Sequence, residues 1–430
     1  MKAEDKILKS SGGLFHPSAF RLHPFRVDEL LFGAAVGLAL FGVVMGYSAS
    51  AALAAEENHY PYHYVMRQGA WTVIGLVAMY LGMRMDYGLL RNKYVVAALL
   101  ALVFLLLVTV FAFPRINGAH RWIRFGGFSL QPSEFSKFAL TLFLAYFLER
   151  RAGEERSFMR TFVPCVLVTG LFAGLVVLEP DLGTALMLAV VCFAVCYAAG
   201  ARIAHLALAA APALIGVICL LIFVPWRLRR MVTFLDPWAD PQNKGYQVVQ
   251  SLIAIGSGGM DGLGFSQGRQ KLFFLPFAHS DFIFAVVGEE LGLIGALTLL
   301  VVFGILLWRG VRVALMAPDR FGMLLGLGII VPLVAQALFN ISVVLSLLPT
   351  KGIPLPFVSY GGSSLVPTLF SIGVLLNISQ QAGRTIGDKG GRRAAVRRFM
   401  LHRTGAGATF SVASMMSVTP RLSNRLAERE

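Results

Sequence analysis

Asp281 lies between His279 and the apolar run PheIlePhe at 282–284, where a polar segment gives way to a hydrophobic one. A carboxylate beside an apolar cavity has its charged form disfavoured unless cations compensate. Those conditions move it toward general-base work. The alternative is structural, with Ser280 or Asp281 capping a helix that opens there.

Further polar stretches interrupt the apolar chain. AsnGlyAlaHisArgTrpIleArg at 117–124 precedes GlnProSerGlu at 131–134, which also reads as a helix start. GluProAspLeuGlyThr at 179–184 puts two carboxylates in a very short connection, and a helix cap accounts for one of them but not both. LysGlyIleProLeuProPheValSerTyrGlyGlySerSer at 351–364 is too elaborate for a plain hairpin. Glu289 and Glu290 fall inside an apolar run, so they are either functional acids or members of a structural ion pair or hydrogen bond.

These residues need a scaffold, and the composition says which kind. Of 430 residues, 57% are hydrophobic and 14% charged, against about a quarter charged in soluble globular chains. Mean hydropathy is +0.70. The apolar blocks are too long for the core helices of a soluble enzyme, and the same excess excludes a disordered scaffold. At about 20 apolar residues per crossing, ten spans are predicted: 29–48, 68–85, 94–113, 134–149, 161–178, 183–200, 203–225, 282–308, 322–346 and 363–379. The fourth is short and opens with Glu134 and Lys137. Lipid offers no partner to an open backbone, so the spans must be helical. The fold class expected is an all-α integral membrane protein with about ten transmembrane helices.

Lys and Arg collect on the cytoplasmic side of membrane proteins. With the N-terminus inside, 26 of the 38 fall on that side. Both termini are therefore expected in the cytoplasm, and the large loop between spans seven and eight, 226–282, outside. Most of the other 12 cluster at Arg115, Arg121, Arg124 and Lys137 and again between Arg227 and Lys271, with Lys351 near the end. They suit either solvation beside anionic headgroups or an anionic lipid-linked substrate on the outer face. The loop is glycine-rich over 256–268, which permits close approach of backbone to a ligand.

Three regions follow: a cytoplasmic segment 1–28, a polytopic domain 29–380, and a basic tail 381–430 of disordered composition. The net charge of +15 comes with no basic–aromatic stripe, so no nucleic acid is expected. Cys192 and Cys196 share a helix face without further ligands and read as packing thiols, and no disulfide framework is visible. No cleaved signal peptide is read in 1–26. No matched pair of broken helices points to an inverted-repeat transporter.

Taken together, the motifs resemble those of the SEDS proteins (shape, elongation, division and sporulation) over nearly all of 29–380. The resemblance rests on ArgTrpIle at 121–123, GlnProSerGluPheSerLys at 131–137, GluProAspLeuGlyThr at 179–184, GlyTyrGln at 245–247, HisSerAspPheIlePhe at 279–284, GlyGluGluLeuGly at 288–292 and ProPheValSerTyrGlyGlySerSer at 356–364. AspProTrpAlaAspPro at 236–241 favours the division branch over the elongation branch. Departures are Ser280 in a Thr place, Phe277 where a polar or acidic residue is common, and Ser342 and Ser346 in the place of the usual Gly.

The resemblance implies a peptidoglycan glycosyltransferase that polymerises lipid II at the outer face of the cytoplasmic (inner) membrane of a bacterium, at the division septum. Its partners would be a single-pass class B penicillin-binding protein and other division proteins. The family's essential acid carries onto Asp281 as general base. Substrate-binding residues expected with it are Arg121, Glu134, Lys137, Glu179, Asp181, Gln247, Lys271, His279, Lys351, Ser359 and Tyr360. Among these, Arg121, Lys271 and Lys351 would face the leaving pyrophosphate, while Glu134, Lys137, Glu179 and Asp181 build the cavity. No cofactor is fixed by the sequence; Mg²⁺ or Mn²⁺ could bridge the phosphate oxygens. The competing readings are a lipid II flippase and a non-catalytic division scaffold. The first suits ten helices with an acid near a cavity, but the inner halves of the spans are thinly polar. The second leaves the clustered outer motifs without a purpose.

Overall fold

The structure, a computed structural model, describes residues 27–56, 62–115, 118–125, 128–154, 157–223 and 225–387. Nearly all of the predicted N-terminal segment, the tail from 388 onward, and Asn117 lie outside the described residues. The chain divides into two compact units, Met1–Thr385 and Ile386–Glu430.

The described chain is almost wholly helical. In order come α1 (Glu29–Glu56), α2 (His63–Arg84), α3 (Lys93–Thr109), α4 (Pro132–Arg150), α5 (Val163–Leu178), α6 (Leu182–Ala199), α7 (Ile203–Phe223), α8 (Pro225–Leu235), α9 (Tyr246–Gly258), α10 (Ile283–Leu315), α11 (Arg320–Val344) and α12 (Gly362–Gly387). A two-stranded antiparallel hairpin, β1 (Ile123–Phe125) and β2 (Phe128–Leu130), pairs Ile123 with Leu130 just before α4. Local chemistry sets several helix ends. The Asn92 side chain accepts from Tyr94 N at α3, that of Asp181 from Thr184 N at α6, and that of Asp319 from Gly322 N at α11. Gly200, at φ 101°, closes α6.

Each predicted span coincides with a helix. Among the described residues, seven helical segments are long and apolar enough to cross a membrane: 29–51, 93–112, 158–178, 182–199, 283–315, 320–344 and 362–382. The helices at 63–84 and 132–150 are diluted by polar residues such as Gln68, Glu134 and Lys137, and 203–223 contributes a shorter apolar stretch.

The most buried span is α11, which packs on α10, α6 and α4. Between lipid-facing helices the hydrophobic effect offers little, so close packing and interhelical polar bonds hold the bundle. Arg309 near the end of α10 grips Asp28 with two nitrogens at 2.6–3.1 Å, and Asp28 N donates to Ser379 Oγ of α12 at 3.1 Å. Asn377 of α12 bridges Tyr87 N and Met83 O, and Thr141 of α4 donates to Gly328 O of α11.

Two expectations need correction. Segment 226–282 is not loop throughout, because it carries α8 and α9. The α8 sequence is amphipathic on a helix, with arginines at 227, 229 and 230 ahead of Met231, Val232, Phe234 and Leu235. Span eight, in turn, is longer than 282–308 and is broken. Gly292 sits at φ 64°, ψ −163°, a conformation open to glycine, so α10 is two helices, 283–291 and 293–315. Four backbone groups freed by the break find partners in the preceding loop. Glu289 O and Glu290 O accept from Leu263 N and Gly264 N at 3.0 Å, while Leu293 N and Ile294 N donate to Gly259 O and Met260 O.

The two acids beside the break take the structural one of their two readings. Glu289 accepts from Arg269 N (2.7 Å) and Gln270 N (3.1 Å). Glu290 accepts from Ser266 N (3.0 Å), from the Ser48 hydroxyl of α1 (2.6 Å) and from Lys271 Nζ (2.6 Å). Together they fasten the glycine-rich loop to the bundle.

Candidate active site at the His279–Asp281 turn

The loop folds back through Phe277, whose φ of 56° is the left-handed region, costing a bulky residue about 1–2 kcal/mol. Its carbonyl accepts from Ser280 N and Phe282 N, closing a turn that presents residues 279–281. The three carbonyls of that turn are each anchored to the far side of the site. Tyr360 N donates to His279 O (3.0 Å), the Ser359 hydroxyl to Ser280 O (2.6 Å), and Asn340 Nδ2 to Asp281 O (2.8 Å). Asn340 Nδ2 also donates to Ile353 O, and Ser359 Oγ accepts from Leu355 N. His279, Tyr360 and Tyr64 form an aromatic cluster with ring centroids 5.5–6.2 Å apart. The backbone under Asp281 is therefore held at every residue.

Capping does not explain Asp281. The N-cap of α10 is Phe282, with no side-chain hydrogen bond. The carboxylate instead lies against the Gly352 backbone, where a Cβ would stand 2.8 Å from Oδ2. Burial pushes its pKa up to about 6; the charge of Arg121 opposes this, that of Asp181 adds to it, and Arg230 opposes it more weakly. These are the physical conditions of a base that works near neutrality.

Around it, Arg121 donates to the carbonyls of Glu179 (3.4 Å) and Pro180, which fixes the guanidinium beside the α5–α6 connection. Asp181 is the cap of that connection, bonded to Thr184 N, Thr184 Oγ1 and Gln131 Nε2. Glu179 is fully buried, and neither carboxyl oxygen has a hydrogen-bond partner. Burial, with the Asp181 charge behind it and Arg121 opposing, raises its pKa to about 8, so at neutral pH it is mostly the uncharged acid.

Deeper in the bundle, Lys137 Nζ bonds Glu134 (2.8 Å) and Gln336 Oε1 (2.7 Å), and Gln336 Nε2 donates to Pro354 O. This chain lines a cavity of about 50 Å³ bounded also by Pro332, Thr368 and Ser371. It ties α4 and α11 to the loop that carries Gly352. Gln247 of α9 donates to Pro276 O and steadies the turn from the other side. Lys351 extends over the Phe339 ring at 5.8 Å.

Lys271 stands apart from the expectation. Its ammonium is buried and bonded to Glu290, Ser48 and Ser266 instead of facing an incoming phosphate. A paired cation at this depth would have to leave Glu290 uncompensated to serve a ligand. The sequence had placed Arg230 only among the outer cations; its charge acts on Asp281 from α8. Asn340, Gln336 and Gly352 were also missed. Asn340 and Gln336 carried a readable signal, since amides inside an apolar span are exceptional. Gly352 carried none. Among the described residues no three His, Cys, Asp or Glu side chains gather to hold a metal ion.

Comparison with known proteins agrees with this architecture. The family model described as "Cell cycle protein", for FtsW, RodA and SpoVE, matches residues 28–384. A relative in Geobacter metallireducens, named "Probable peptidoglycan glycosyltransferase FtsW", is 45% identical over 358 residues, covering 82% of this chain and 95% of the relative. Stage V sporulation protein E of Bacillus subtilis is 42% identical over 355 residues, covering 82% and 97%. Among solved structures, a chain of "Structural coordination of polymerization and crosslinking by a peptidoglycan synthase complex" superposes with TM-score 0.65 at 31% identity, covering 83% of this chain and 98% of that one. Thermus thermophilus RodA superposes with TM-score 0.61 at 28% identity, covering 82% and 96%. With the family model spanning the whole helical domain and relatives this similar over most of their length, the chain belongs to the SEDS family of FtsW, RodA and SpoVE cell cycle proteins.

Proposed function

We propose that the chain is a peptidoglycan glycosyltransferase that polymerises lipid II into β-1,4 glycan strands during cell division, with Asp281 as general base. The observation that carries this reading is the turn itself. Three consecutive backbone carbonyls are anchored, while the Asp281 side chain is left for chemistry, its pKa raised to about 6 beside two arginines.

Forming a β-1,4 bond from an α-linked donor inverts the anomeric carbon, so one direct displacement suffices. Asp281 takes the proton of the acceptor N-acetylglucosamine 4-hydroxyl. The freed oxygen attacks the donor anomeric carbon, and the bond to undecaprenyl pyrophosphate breaks with its electrons leaving on the pyrophosphate. A fixed base within reach of the hydroxyl can contribute a factor of about 10²–10⁴. Arg121 and Arg230 neutralise the growing negative charge, with Lys351 next to Gly352, against which the Asp281 carboxylate lies; Lys271 has no part in that set. A divalent ion travelling with the pyrophosphate would be carried on its own phosphate oxygens, adding Lewis-acid stabilisation there.

The distribution of Lys and Arg supports ten spans with both ends in the cytoplasm, and on that topology the 279–281 turn faces outward from the cytoplasmic membrane at the septum. A single-pass class B penicillin-binding protein is the expected partner, alongside other division proteins. The test is glycan synthesis from purified lipid II by the chain co-purified with that partner. Polymer from wild type and none from folded, partner-bound Asp281→Ala and Asp281→Asn is the expected result. Polymer from all three would remove Asp281 as the base. No polymer from any of them, with lipid II crossing the bilayer of reconstituted vesicles, would replace the enzyme by a flippase.

A further inference from the structure

At the opposite end of the bundle from Asp281 lies an open pocket of about 870 Å³ lined by Arg91, Lys93, Tyr94, Glu149, Arg150 and Arg320. The distance follows from α11, which carries Asn340 at the catalytic turn and Arg320 at the pocket. Twenty residues of helix separate them, about 30 Å at 1.5 Å per residue. On the topology proposed above, the two sites face opposite sides of the membrane.

Four cations meet one carboxylate in this pocket, and they come from four separate places in the fold. Arg91 ends the 3₁₀ turn Tyr87–Arg91, Lys93 opens α3, Arg150 ends α4, and Arg320 opens α11. Glu149 offsets Arg91 at 2.7 Å, and Asp319, just outside the pocket lining, does so at 3.8 Å. Arg320 is oriented by a bond to Ala199 O at 2.9 Å. Lys93 and Arg150 lie along the tyrosines of their own helices, over Tyr94 at 4.8 Å and Tyr146 at 4.6 Å. A net excess of positive charge remains in a concave site whose size suits a small-molecule ligand, for which typical pockets run about 300–1,000 Å³.

Cations at helix ends are ordinary on the cytoplasmic side, and a flat rim of them would mean only topology. Here they converge on a cavity. Each comes from the terminus of a helix, which is the depth of lipid phosphates, and Tyr94 is largely exposed beside them, an amphipathic ring of the kind that settles at the headgroup level. We propose that this pocket binds the phosphate headgroup of an anionic phospholipid of the leaflet facing it. Arg and Lys converging on phosphate oxygens make charge-assisted hydrogen bonds, and basic pockets between helices are suited to such headgroups.

The test is native mass spectrometry of the purified full chain titrated with phosphatidylglycerol or phosphatidylcholine. Wild type is expected to retain phosphatidylglycerol preferentially. The double variant Lys93→Gln/Arg150→Gln is expected to bind it roughly 10- to 30-fold more weakly. Arg312→Gln, in the last turn of α10 at the same end of the bundle but outside the pocket, should bind it as wild type does. Glu149→Gln removes the carboxylate and should bind it more tightly, a gain that a misfolded protein could not give. Equal retention of both lipids by wild type would overturn the site. An equal loss in Arg312→Gln would reduce it to general surface charge. Full displacement of the lipid by an equal concentration of glycerol 3-phosphate would reassign the pocket to a free phosphate anion and overturn the lipid assignment.

Discussion

Asn340, buried near the C-terminal end of α11, donates to the backbone carbonyl of Asp281 at 2.8 Å across 59 positions of sequence. The same nitrogen reaches Ile353 O at 2.7 Å. One amide therefore fixes both the base and the strand of chain against which its carboxylate lies. Asn340→Ala leaves two buried carbonyls unsatisfied, each costing about 1–3 kcal/mol. The expected outcome is a lower thermal midpoint and at least about a tenfold fall in polymerisation rate. Unchanged synthesis from lipid II by a folded Asn340→Ala would remove Asn340 from the positioning of the base.

Gly352 tests the same contact from the other side. A Cβ there would stand 2.8 Å from Asp281 Oδ2, too close for the carboxylate to stay in place. Gly352→Ala should lower turnover by about 10- to 100-fold through misplacement of the base and leave partner binding intact. Wild-type turnover in this variant would show that the carboxylate has room to move without consequence.

The pH dependence of polymerisation should rise with the ionisation of Asp281 and level off above about pH 6. Because the Arg121 charge holds that value down, Arg121→Gln should move the rising limb to higher pH. Asp181 pushes the other way, so Asp181→Asn should move it lower. A limb that stays fixed in both variants would assign the titration to another group.

Glu179 supplies a stability prediction with a definite sign. Its folded pKa of about 8 lies above the ordinary glutamate value of 4.5, so the folded state holds the proton more tightly. The stability this confers is complete below about pH 4.5 and is lost as pH rises toward 8. At one pKa unit per about 1.4 kcal/mol, the loss by pH 7 is on the order of 3 kcal/mol. Glu179→Gln, which cannot ionise, should melt at a higher temperature than wild type at pH 8 and near the wild-type value at pH 5. Parallel melting curves at both pH values would contradict the burial of an uncompensated acid.

For the ion pair at the break in α10, Lys271→Met leaves Glu290 buried without its cation, at a cost of about 3–5 kcal/mol. Lys271→Met/Glu290→Gln should recover much of that, since no lone charge remains. The comparison is read by thermal denaturation of the three proteins. A double variant as unstable as the single one would mean that the loop depends on the charges themselves.

The helical scaffold was legible because a bilayer demands long apolar runs, and each of the ten runs is a helix in the structure. Asp281 was legible from its place at a polar–apolar boundary, and the pairing of a cap with a spare acid in the α5–α6 connection was visible in Glu179 and Asp181. Three features were hidden for a shared reason. The break at Gly292 depends on partners 28 to 33 positions earlier, the role of Lys271 depends on Glu290, and Arg230 reads as loop charge until α8 is formed. Composition and spacing describe neighbours along the chain, whereas these roles arise from neighbours in space. Asn340 is the intermediate case, conspicuous as an amide in an apolar span but silent about what it holds.

The bond from Ser48 to Glu290 also sets a timetable for biosynthesis. Its partners lie 242 residues apart. At about 5–20 residues per second, roughly 12 to 50 seconds pass between the emergence of the first span and the arrival of the acid that its serine binds. During that interval the Ser48 hydroxyl must find other partners, in its own helix, in the insertion machinery or in water at the interface. Chains cut short before Glu290 never acquire the clasp. Such truncations should therefore be quality-control substrates even though most of their spans are already in the membrane.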